Sequence, residues 1–241
     1  MPFATTSVAS SAGSIRVTAV SGLIFDMDGT IIDSMPAHTQ SWLMFMRQHG
    51  LNVDVPELMR RTTGRTGAEC MRELFGRDLS TEEAWGYLAE KEQTYRELFA
   101  PVFAEVAGFR QFAELTLARG LKFGVGTAGD RHNIAFAMKH LKLATPPHAI
   151  VGGDEGLPGK PEPAIFLEAA RRMAVRAEDC LVFEDAPLGI EAARRAGMQA
   201  VAICTSHSAA QLAGPHVIAS AKNYHELLES KFLESLNDAN A

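Results

Sequence analysis

Two aspartates, Asp26 and Asp28, are the residues of this sequence whose type and spacing best suit chemistry. They directly follow Leu23–Phe25, an apolar run that predicts a short buried strand of a parallel sheet. Side chains two positions apart on a strand share a face, so these carboxylates would repel each other. A hard divalent cation with oxygen ligands, such as Mg²⁺, would remove that repulsion. The alternative is an acidic turn in which Gly29 supplies an unusual backbone angle.

Two further positions could bind a phosphate or another anion. Thr127 ends a predicted strand, and the backbone N–H groups of Ala128 and Gly129 follow it directly. Lys160 stands between a glycine and a proline, which restrict the backbone and present the lysine rigidly. Each has an ordinary alternative, because a threonine after a strand often caps a helix and a loop lysine is often only solvated.

A second acidic pair, Glu184 and Asp185, ends the apolar run that begins at Cys180. Ligands of open α/β sheets bind outside the carboxyl ends of the strands, which is where this pair would lie. Two adjacent carboxylates at that edge are better explained as a second pair of metal-site residues than as structural ones.

Strands and helices alternate along most of the chain. Predicted strands lie at 23–25, 122–127, 149–151, 180–184 and 199–203. Predicted helices lie at 108–119, 131–141 and 163–174, and a fourth follows the strand at 180–184 and ends at residue 196. This alternation predicts right-handed βαβ crossovers and a parallel sheet. The predicted fold class is therefore α/β, with a doubly wound, Rossmann-like core.

Between the first strand and residue 104 the pattern is helical throughout. Helices are predicted at 36–50, 56–61, 68–75 and 81–99. Thr81 is predicted to be the N-cap of the last one. An all-helical block after a single strand is typical of an insertion. The predicted organisation is a flexible tail at 1–20, a core at 21–35 and 104–241, and an inserted helical domain at 36–103.

Composition narrows the classes of function. The formal charge is −6 and no basic run stands out, which argues against a nucleic-acid surface. No apolar run approaches the length of a membrane span. Residues 1–20 lack the charged start and apolar core of a secretory signal. Cys70, Cys180 and Cys204 are few and scattered, which suits a reducing compartment and predicts a cytoplasmic protein.

The run Asp26-Met-Asp-Gly-Thr-Ile-Ile-Asp33-Ser34 resembles the first motif of the haloacid dehalogenase superfamily of aspartate-nucleophile phosphotransferases. Thr127, Lys160 and Glu184-Asp185 resemble its other three motifs and come in the same order. The helical block at 36–103 is similar to the small cap of that family. The run from Glu184 to Ala193 is similar to the last motif of the β-phosphoglucomutase and sugar-phosphatase branch.

The resemblance implies a mechanism. Asp26 would attack the phosphorus of a monoester, and Asp28 would protonate the leaving alcohol and then activate water. Mg²⁺ would be bound by Asp26, the backbone carbonyl of Asp28 and Asp185. Thr127 and Lys160 would bind the phosphoryl oxygens. Glu184 would serve the metal site by positioning Lys160 or a metal-bound water.

Substrate contacts are expected from Thr30, Ala128, His38, Arg65 and Lys91. His38 matches a histidine that contacts the acid/base aspartate in the mutases, although a half-exposed helix residue is the alternative. Lys91 matches a cap lysine of the mutases, and a solvated helix face is its alternative. Arg65 stands about two positions before the arginine of the mutase pattern. That departure, together with Thr30, favours a phosphatase.

The predicted function is a Mg²⁺-dependent phosphatase of a small phosphorylated metabolite, such as a sugar phosphate, acting through an aspartyl-phosphate. The alternative is a β-phosphoglucomutase, and a third class is a haloacid dehalogenase or phosphonate hydrolase. A dehalogenase would lack Asp28, and a phosphonate hydrolase would carry a lysine between Asp33 and Gly50, where there is none. No nucleic-acid or membrane partner is expected, and a monomer or weak homodimer is predicted.

Overall fold

A six-stranded parallel sheet forms the centre of the protein. The structure is a computed structural model that describes residues 20–54, 57–58 and 67–238. In chain order the strands are β1 (Gly22–Phe25), β2 (Lys122–Gly126), β3 (Ala149–Val151), β4 (Cys180–Glu184), β5 (Gln199–Ile203) and β6 (Val217–Ala221). Their spatial order is β3-β2-β1-β4-β5-β6. The order reverses around β1, and such a switch point is where doubly wound sheets open a crevice.

Apolar side chains cover both faces of β1, as its sequence predicts. Leu23 and Phe25 belong to one hydrophobic core, whereas Ile24 belongs to the core on the opposite face. Phe25 stacks on Phe183 of β4 with ring centroids 4.5 Å apart and meets Phe123 of β2 edge-on. A strand that is buried on both faces has no polar positions until it ends, so the first carboxylate, Asp26, comes directly after it.

Between β1 and residue 104, the described part of the chain contains three α-helices: α1 (Met35–Gln48), α2 (Gly67–Phe75) and α3 (Thr81–Phe99). We call them the inserted helices. They share a hydrophobic core of their own, which includes Trp42, Phe45, Met71 and Leu88. Of the predicted helix at 56–61, only Glu57 and Leu58 are described, and both are helical. The predicted domain boundaries stay predictions.

The N-cap of α3 corrects one prediction. Thr81 was expected to cap this helix, but the N-cap is Ser80, one residue earlier. The Ser80 hydroxyl accepts from the backbone N–H of Glu83, and the Glu83 carboxylate accepts from the backbone N–H of Ser80. This reciprocal pair satisfies two donors at once, which a cap at Thr81 would not do.

The remaining helices pack on the two faces of the sheet: α4 (Phe109–Ala118), α5 (Arg131–Leu141), α6 (Ala164–Met173), α7 (Pro187–Arg195), α8 (Tyr224–Glu229) and α9 (Phe232–Asp238). The predicted α/β class with a doubly wound core is confirmed. No helix in the described ranges is both long enough and apolar enough to cross a bilayer.

A tight turn after β1 returns the chain towards the sheet. Gly29 has a φ of +76°, and a Cβ built on it would lie 2.3 Å from Oδ2 of Asp185, the residue after β4. Glycine is therefore required here for two independent reasons, backbone angle and close approach.

We expect Gly29→Ala to destabilise the protein more than Gly120→Ala. Gly120 also has a positive φ (+75°), but a Cβ there would meet nothing within 4 Å. Both variants carry the backbone strain, whereas only Gly29→Ala adds a clash, which costs about 1–3 kcal/mol. Urea denaturation of the two variants measures the difference. Equal losses would show that Asp185 moves away freely.

Candidate active site

Lys160 joins the carboxyl ends of the two central strands. Phe25 of β1 pairs with Phe183 of β4, so Asp26 and Glu184 follow side by side. The Lys160 Nζ atom lies 2.5 Å from Oδ1 of Asp26 and 2.7 Å from Oε1 of Glu184. All three side chains are buried. The loop lysine is thus an ion-pair partner of both strand ends and not a solvated residue.

The cluster holds more negative than positive charge. Burial raises the pKa of Asp26 to about 7, against the lowering effect of Lys160 and with a further rise from the charges of Glu184 and Asp28. Burial, and then the charges of Glu184 and Asp26, raise the pKa of Asp185 well above its usual value. Burial alone would lower the pKa of Lys160, but Asp26 and Glu184 raise it overall. Three carboxylates therefore face one ammonium group.

A divalent cation fits this cluster. Oδ2 of Asp185 is buried and has no hydrogen-bond partner, while its Oδ1 accepts from the Thr30 hydroxyl at 3.4 Å. Within the described ranges, no three His, Cys, Asp or Glu side chains are grouped as a metal cage. The site implied by the resemblance needs only Asp26, Asp185 and a backbone carbonyl, so oxygen donors suited to Mg²⁺ are in place.

Hydrogen bonds within the protein occupy the polar atoms of Glu184 and Thr30 and so limit what else these side chains can bind. Oε1 of Glu184 accepts from Lys160 and its Oε2 from the backbone N–H of Ala186 at 2.8 Å. Glu184 is therefore placed to position Lys160, and its oxygens are already used. Thr30 is fully buried behind Asp185 and does not line the pocket. Its observed contact is with this carboxylate, and its predicted contact with substrate stays a prediction.

Asp28 has different neighbours from Asp26. Its Oδ1 accepts from the Ser34 hydroxyl at 2.7 Å, from Nε2 of His38 at 3.1 Å and from the Tyr95 hydroxyl at 3.3 Å. Burial would raise the pKa of Asp28, but the neighbouring His38, and then the hydrogen bond from Ser34, lower it overall. Three donors occupy Oδ1, so Oδ2 is the oxygen available to a ligand.

His38 and Lys91 are buried, contrary to the alternatives considered for them. They are 8% and 1% exposed. Lys91 Nζ lies 2.8 Å from Nδ1 of His38, and the imidazole stacks on Tyr95 at 3.8 Å. Because an ammonium group can only donate, Nδ1 of His38 accepts and its Nε2–H donates to Asp28. Lys91 thereby fixes the tautomer that holds the second aspartate.

A short loop after β2 provides backbone donors beside the carboxylates. The buried Thr127 hydroxyl accepts from the backbone N–H of Gly129 at 3.0 Å. Ala128 and Gly129 line the pocket, whereas Thr127 and Lys160 lie behind its wall. The loop leads directly into α5, whose N-cap is Asp130. This arrangement leaves the loop backbone next to the carboxylate cluster.

The pocket lies between the sheet edge and the inserted helices. Its outer wall includes Trp42, Trp85 and Leu88, and its inner wall includes Asp26, Asp28 and Asp185. Among the described residues that line it, Lys91 is the only lysine or arginine. Arg65 lies outside the described residues.

Sequence reasoning missed four polar neighbours of the site. Ser34 and Tyr95 could have been found, since Ser34 belongs to the first acidic motif and Tyr95 stands one helical turn after Lys91. Glu92 and Asn133 also line the pocket and contact each other at 2.7 Å. They are 41 residues apart, and no local pattern in the sequence links them.

A sheet of this topology with paired carboxylates and a buried lysine at its edge defines a class of α/β hydrolases. The model of the haloacid dehalogenase-like hydrolases matches residues 20–197. The chain therefore belongs to that family, as its motifs predicted.

Two curated relatives are phosphatases. The chain is 32% identical over 188 residues to a fructose-1-phosphate phosphatase of Escherichia coli, covering 75% of this chain and 94% of the relative. It is 28% identical over 182 residues to a phosphorylated carbohydrates phosphatase of Thermotoga maritima, covering 74% and 82%. The predicted enzyme class, a phosphoric monoester hydrolase of this family, is confirmed.

A solved β-phosphoglucomutase of Clostridium difficile shares the fold. It superposes with a TM-score of 0.78 at 23% identity, covering 91% of this chain and 98% of that one. At this identity the likeness concerns the fold alone.

We expect Lys160→Met to destabilise the protein by about 3–5 kcal/mol, because it leaves Asp26 and Glu184 buried without a counter-charge. Adding Glu184→Gln removes one of those charges and should recover part of the loss. Urea denaturation at pH 8 in chelator measures both, with Lys139→Met on the exposed face of α5 as the control. A loss under about 1 kcal/mol would mean that the cluster is hydrated.

Proposed function

We propose that this protein is a Mg²⁺-dependent phosphatase that hydrolyses a small sugar phosphate through an aspartyl-phosphate intermediate. The observation that carries the proposal is the pairing of two unlike aspartates. Asp26 lies in the carboxylate cluster beside Lys160, and Asp28 presents a free Oδ2 to the same pocket. One carboxylate can attack phosphorus while the other exchanges a proton.

The two aspartates have different roles in the proposed reaction, one as nucleophile and one as acid and base. Asp26 attacks the phosphorus, and the bond from phosphorus to the ester oxygen breaks. The pKa of Asp28 is lowered in the free protein, so proton donation requires that the negative charge of the bound phosphate ester raise it. Protonated at Oδ2, Asp28 then gives that proton to the leaving alcohol and later takes one from the water that hydrolyses the intermediate. Oδ1 of Asp28 cannot serve because Ser34, His38 and Tyr95 already donate to it. The hydrogen-bond pattern therefore assigns the proton to a single oxygen.

The other residues of the motifs bind and orient the phosphoryl group. Lys160 supplies a positive charge beside Asp26, and Ala128 and Gly129, which follow Thr127, line the pocket. Asp26 and Asp185, with the Asp28 carbonyl, would hold Mg²⁺, which supplies charge neutralisation between a carboxylate and a phosphate dianion. Glu184 holds Lys160 in place.

A sugar is the leaving group that the pocket and the relatives favour. Trp42, Trp85 and Leu88 offer apolar surface for the C–H face of a sugar ring. Asp130 on the opposite wall offers a partner for a hydroxyl group. Both named relatives act on phosphorylated carbohydrates, according to their names.

A β-phosphoglucomutase is the second candidate. The contact of His38 with Asp28 is the one expected of the mutase branch, and Lys91, which matches a cap lysine of that branch, contacts His38. A mutase must also hold a second phosphate. Lys91, the only described cation on the pocket wall, is already bound to His38 and Glu92. Hydrolysis is therefore preferred. A cytoplasmic location and a monomer or weak homodimer stay predictions.

We expect the protein to release inorganic phosphate from hexose or pentose phosphates in the presence of Mg²⁺. Asp26→Asn should lower kcat by more than about a hundredfold, because the amide cannot act as a nucleophile. It should leave folding intact, since it removes a buried charge from a crowded cluster. A panel of phosphorylated metabolites, with phosphate release as readout, makes the measurement.

The products separate the two candidates. With β-glucose 1-phosphate and a trace of the bisphosphate, glucose 6-phosphate forming much faster than phosphate would make this a mutase. Activity of the Asp26→Asn variant above about a hundredth of wild type would remove Asp26 as the nucleophile.

Mg²⁺ should stabilise the protein more at pH 8 than at pH 5.5. The usual pKa of Asp26 is near 3.8 and its folded value is about 7. Without a cation, stability therefore falls as pH rises between these values, because the folded state loses a proton that it binds tightly. Mg²⁺ replaces that proton at high pH. Thermal unfolding with Mg²⁺ or EDTA at both pH values tests this, and Asp185→Asn should shrink the difference. An equal effect of Mg²⁺ at both pH values would contradict the assignment.

A further inference from the structure

Asn133 of core helix α5 is held at both ends of its amide by α3. Its Nδ2 donates to Oε2 of Glu92 at 2.7 Å, and its Oδ1 accepts from Nη1 of Arg96 at 2.7 Å. Asn133 is 2% exposed. Only one orientation of the amide satisfies a carboxylate on one side and a guanidinium on the other. The side chain therefore fixes how α3 sits on α5.

Glu92 bonds to both Asn133 and Lys91, the residue before it, and so connects the two. Its Oε2 accepts from Asn133, while its Oε1 accepts from Lys91 at 2.9 Å. The carboxylate and the ammonium group are both buried. Each oxygen of Glu92 has one partner and neither can be exchanged for water at low cost. The positions of Asn133 and Lys91 are thus tied through one carboxylate.

The same series of hydrogen bonds ends at the second aspartate. Lys91 donates to Nδ1 of His38, and Nε2 of His38 faces Oδ1 of Asp28. At the other end, the backbone N–H of Asn133 donates to Asp130, which directly follows the loop that begins at Thr127. One polar path therefore connects the loop after β2 with Asp28 by way of α3.

We propose that Glu92 and Asn133 are positioning residues, which lock the inserted helices onto the core in the one orientation where His38 holds Asp28 for proton transfer. The role rests on the proposed function of Asp28. Neither residue needs to touch the reacting atoms. Their effect is on the alignment of the acid/base group, where a shift of about 1 Å can cost roughly a hundredfold in rate.

An exchange of groups between the two residues tests the proposal. In Glu92→Gln, the new amide must accept from Lys91, so its NH₂ meets the NH₂ of Asn133. In Asn133→Asp, the new carboxylate meets the carboxylate of Glu92. In the double variant, the amide at 92 donates to the carboxylate at 133, which still accepts from Arg96. The double variant keeps the net charge and the number of hydrogen bonds, while the carboxylate moves from Lys91 to Arg96.

We expect each single variant to lower kcat by about ten- to a hundredfold with little change in KM, and the double variant to return to within about threefold of wild type. Glu97→Gln makes the same chemical change on the exposed side of α3 and should leave kcat unchanged. If Asn133→Asp does not fold, Asn133→Ala is used as the single variant in its place, because it removes the amide without adding a charge.

Tryptophan fluorescence gives a readout that does not depend on turnover. Trp42 and Trp85 are the only tryptophans of the chain, and Lys91 Nζ lies 4.9 Å from the centre of the Trp42 ring. The single variants should change the emission of the free protein, and the double variant should restore it. The emission spectra test the positioning role even if no phosphate ester is hydrolysed. Absence of hydrolysis would contradict the proposed function and not the positioning role.

Two results would overturn the positioning role. One is wild-type kcat in both single variants. The other is a double variant with wild-type emission and thermal stability whose kcat stays as low as that of the single variants.

Discussion

The central constraint of this structure is an excess of buried negative charge at the carboxyl edge of the sheet. Asp26 and Glu184 share the ammonium group of Lys160, and Asp185 adds a third buried carboxylate beside them. The arrangement can only form where two parallel strands end side by side and a loop delivers the lysine between them. It also leaves Oδ2 of Asp185 without a partner. Such a cluster is costly in a protein of marginal stability, and the proposed binding of a dication and a phosphoryl group would account for it.

Two aspartates of one short motif are made chemically different by what surrounds each. The pKa of Asp26 is raised because burial and its neighbouring carboxylates outweigh Lys160. The pKa of Asp28 is lowered because His38 and Ser34 outweigh its burial. The partners of Asp26 belong to the core, whereas His38 and Tyr95 belong to the inserted helices. Under the proposed function, the core would set the nucleophile and the inserted helices the acid/base group, so the site would be complete only with both in place.

The sequence predicted the fold and the core of the site because the information for both is local. A buried strand is an apolar run, and each carboxylate motif follows such a run within one or two residues. The burial of His38 and Lys91 could not be predicted in this way, because their contact joins residues 53 positions apart. On an isolated helix, Lys91 beside Glu92 looks like an ordinary solvated pair. The N-cap of α3 was misplaced by one residue because Ser80 and Thr81 are both good caps, and only Ser80 stands three residues before Glu83.

The one lysine that the inserted helices place on the described pocket wall is balanced by a carboxylate beside it. Lys91 is neutralised by Glu92, and its remaining contacts are with His38 and the rings of Trp42 and Tyr95. Among the described residues, the attraction for a phosphate therefore comes from the core, through Lys160, the loop after Thr127 and the cation that the carboxylates would hold. The inserted helices contribute apolar surface and the alignment of Asp28. It follows that changes in the inserted helices should alter which alcohol is released, and changes in the core should alter phosphoryl binding itself, for every substrate alike.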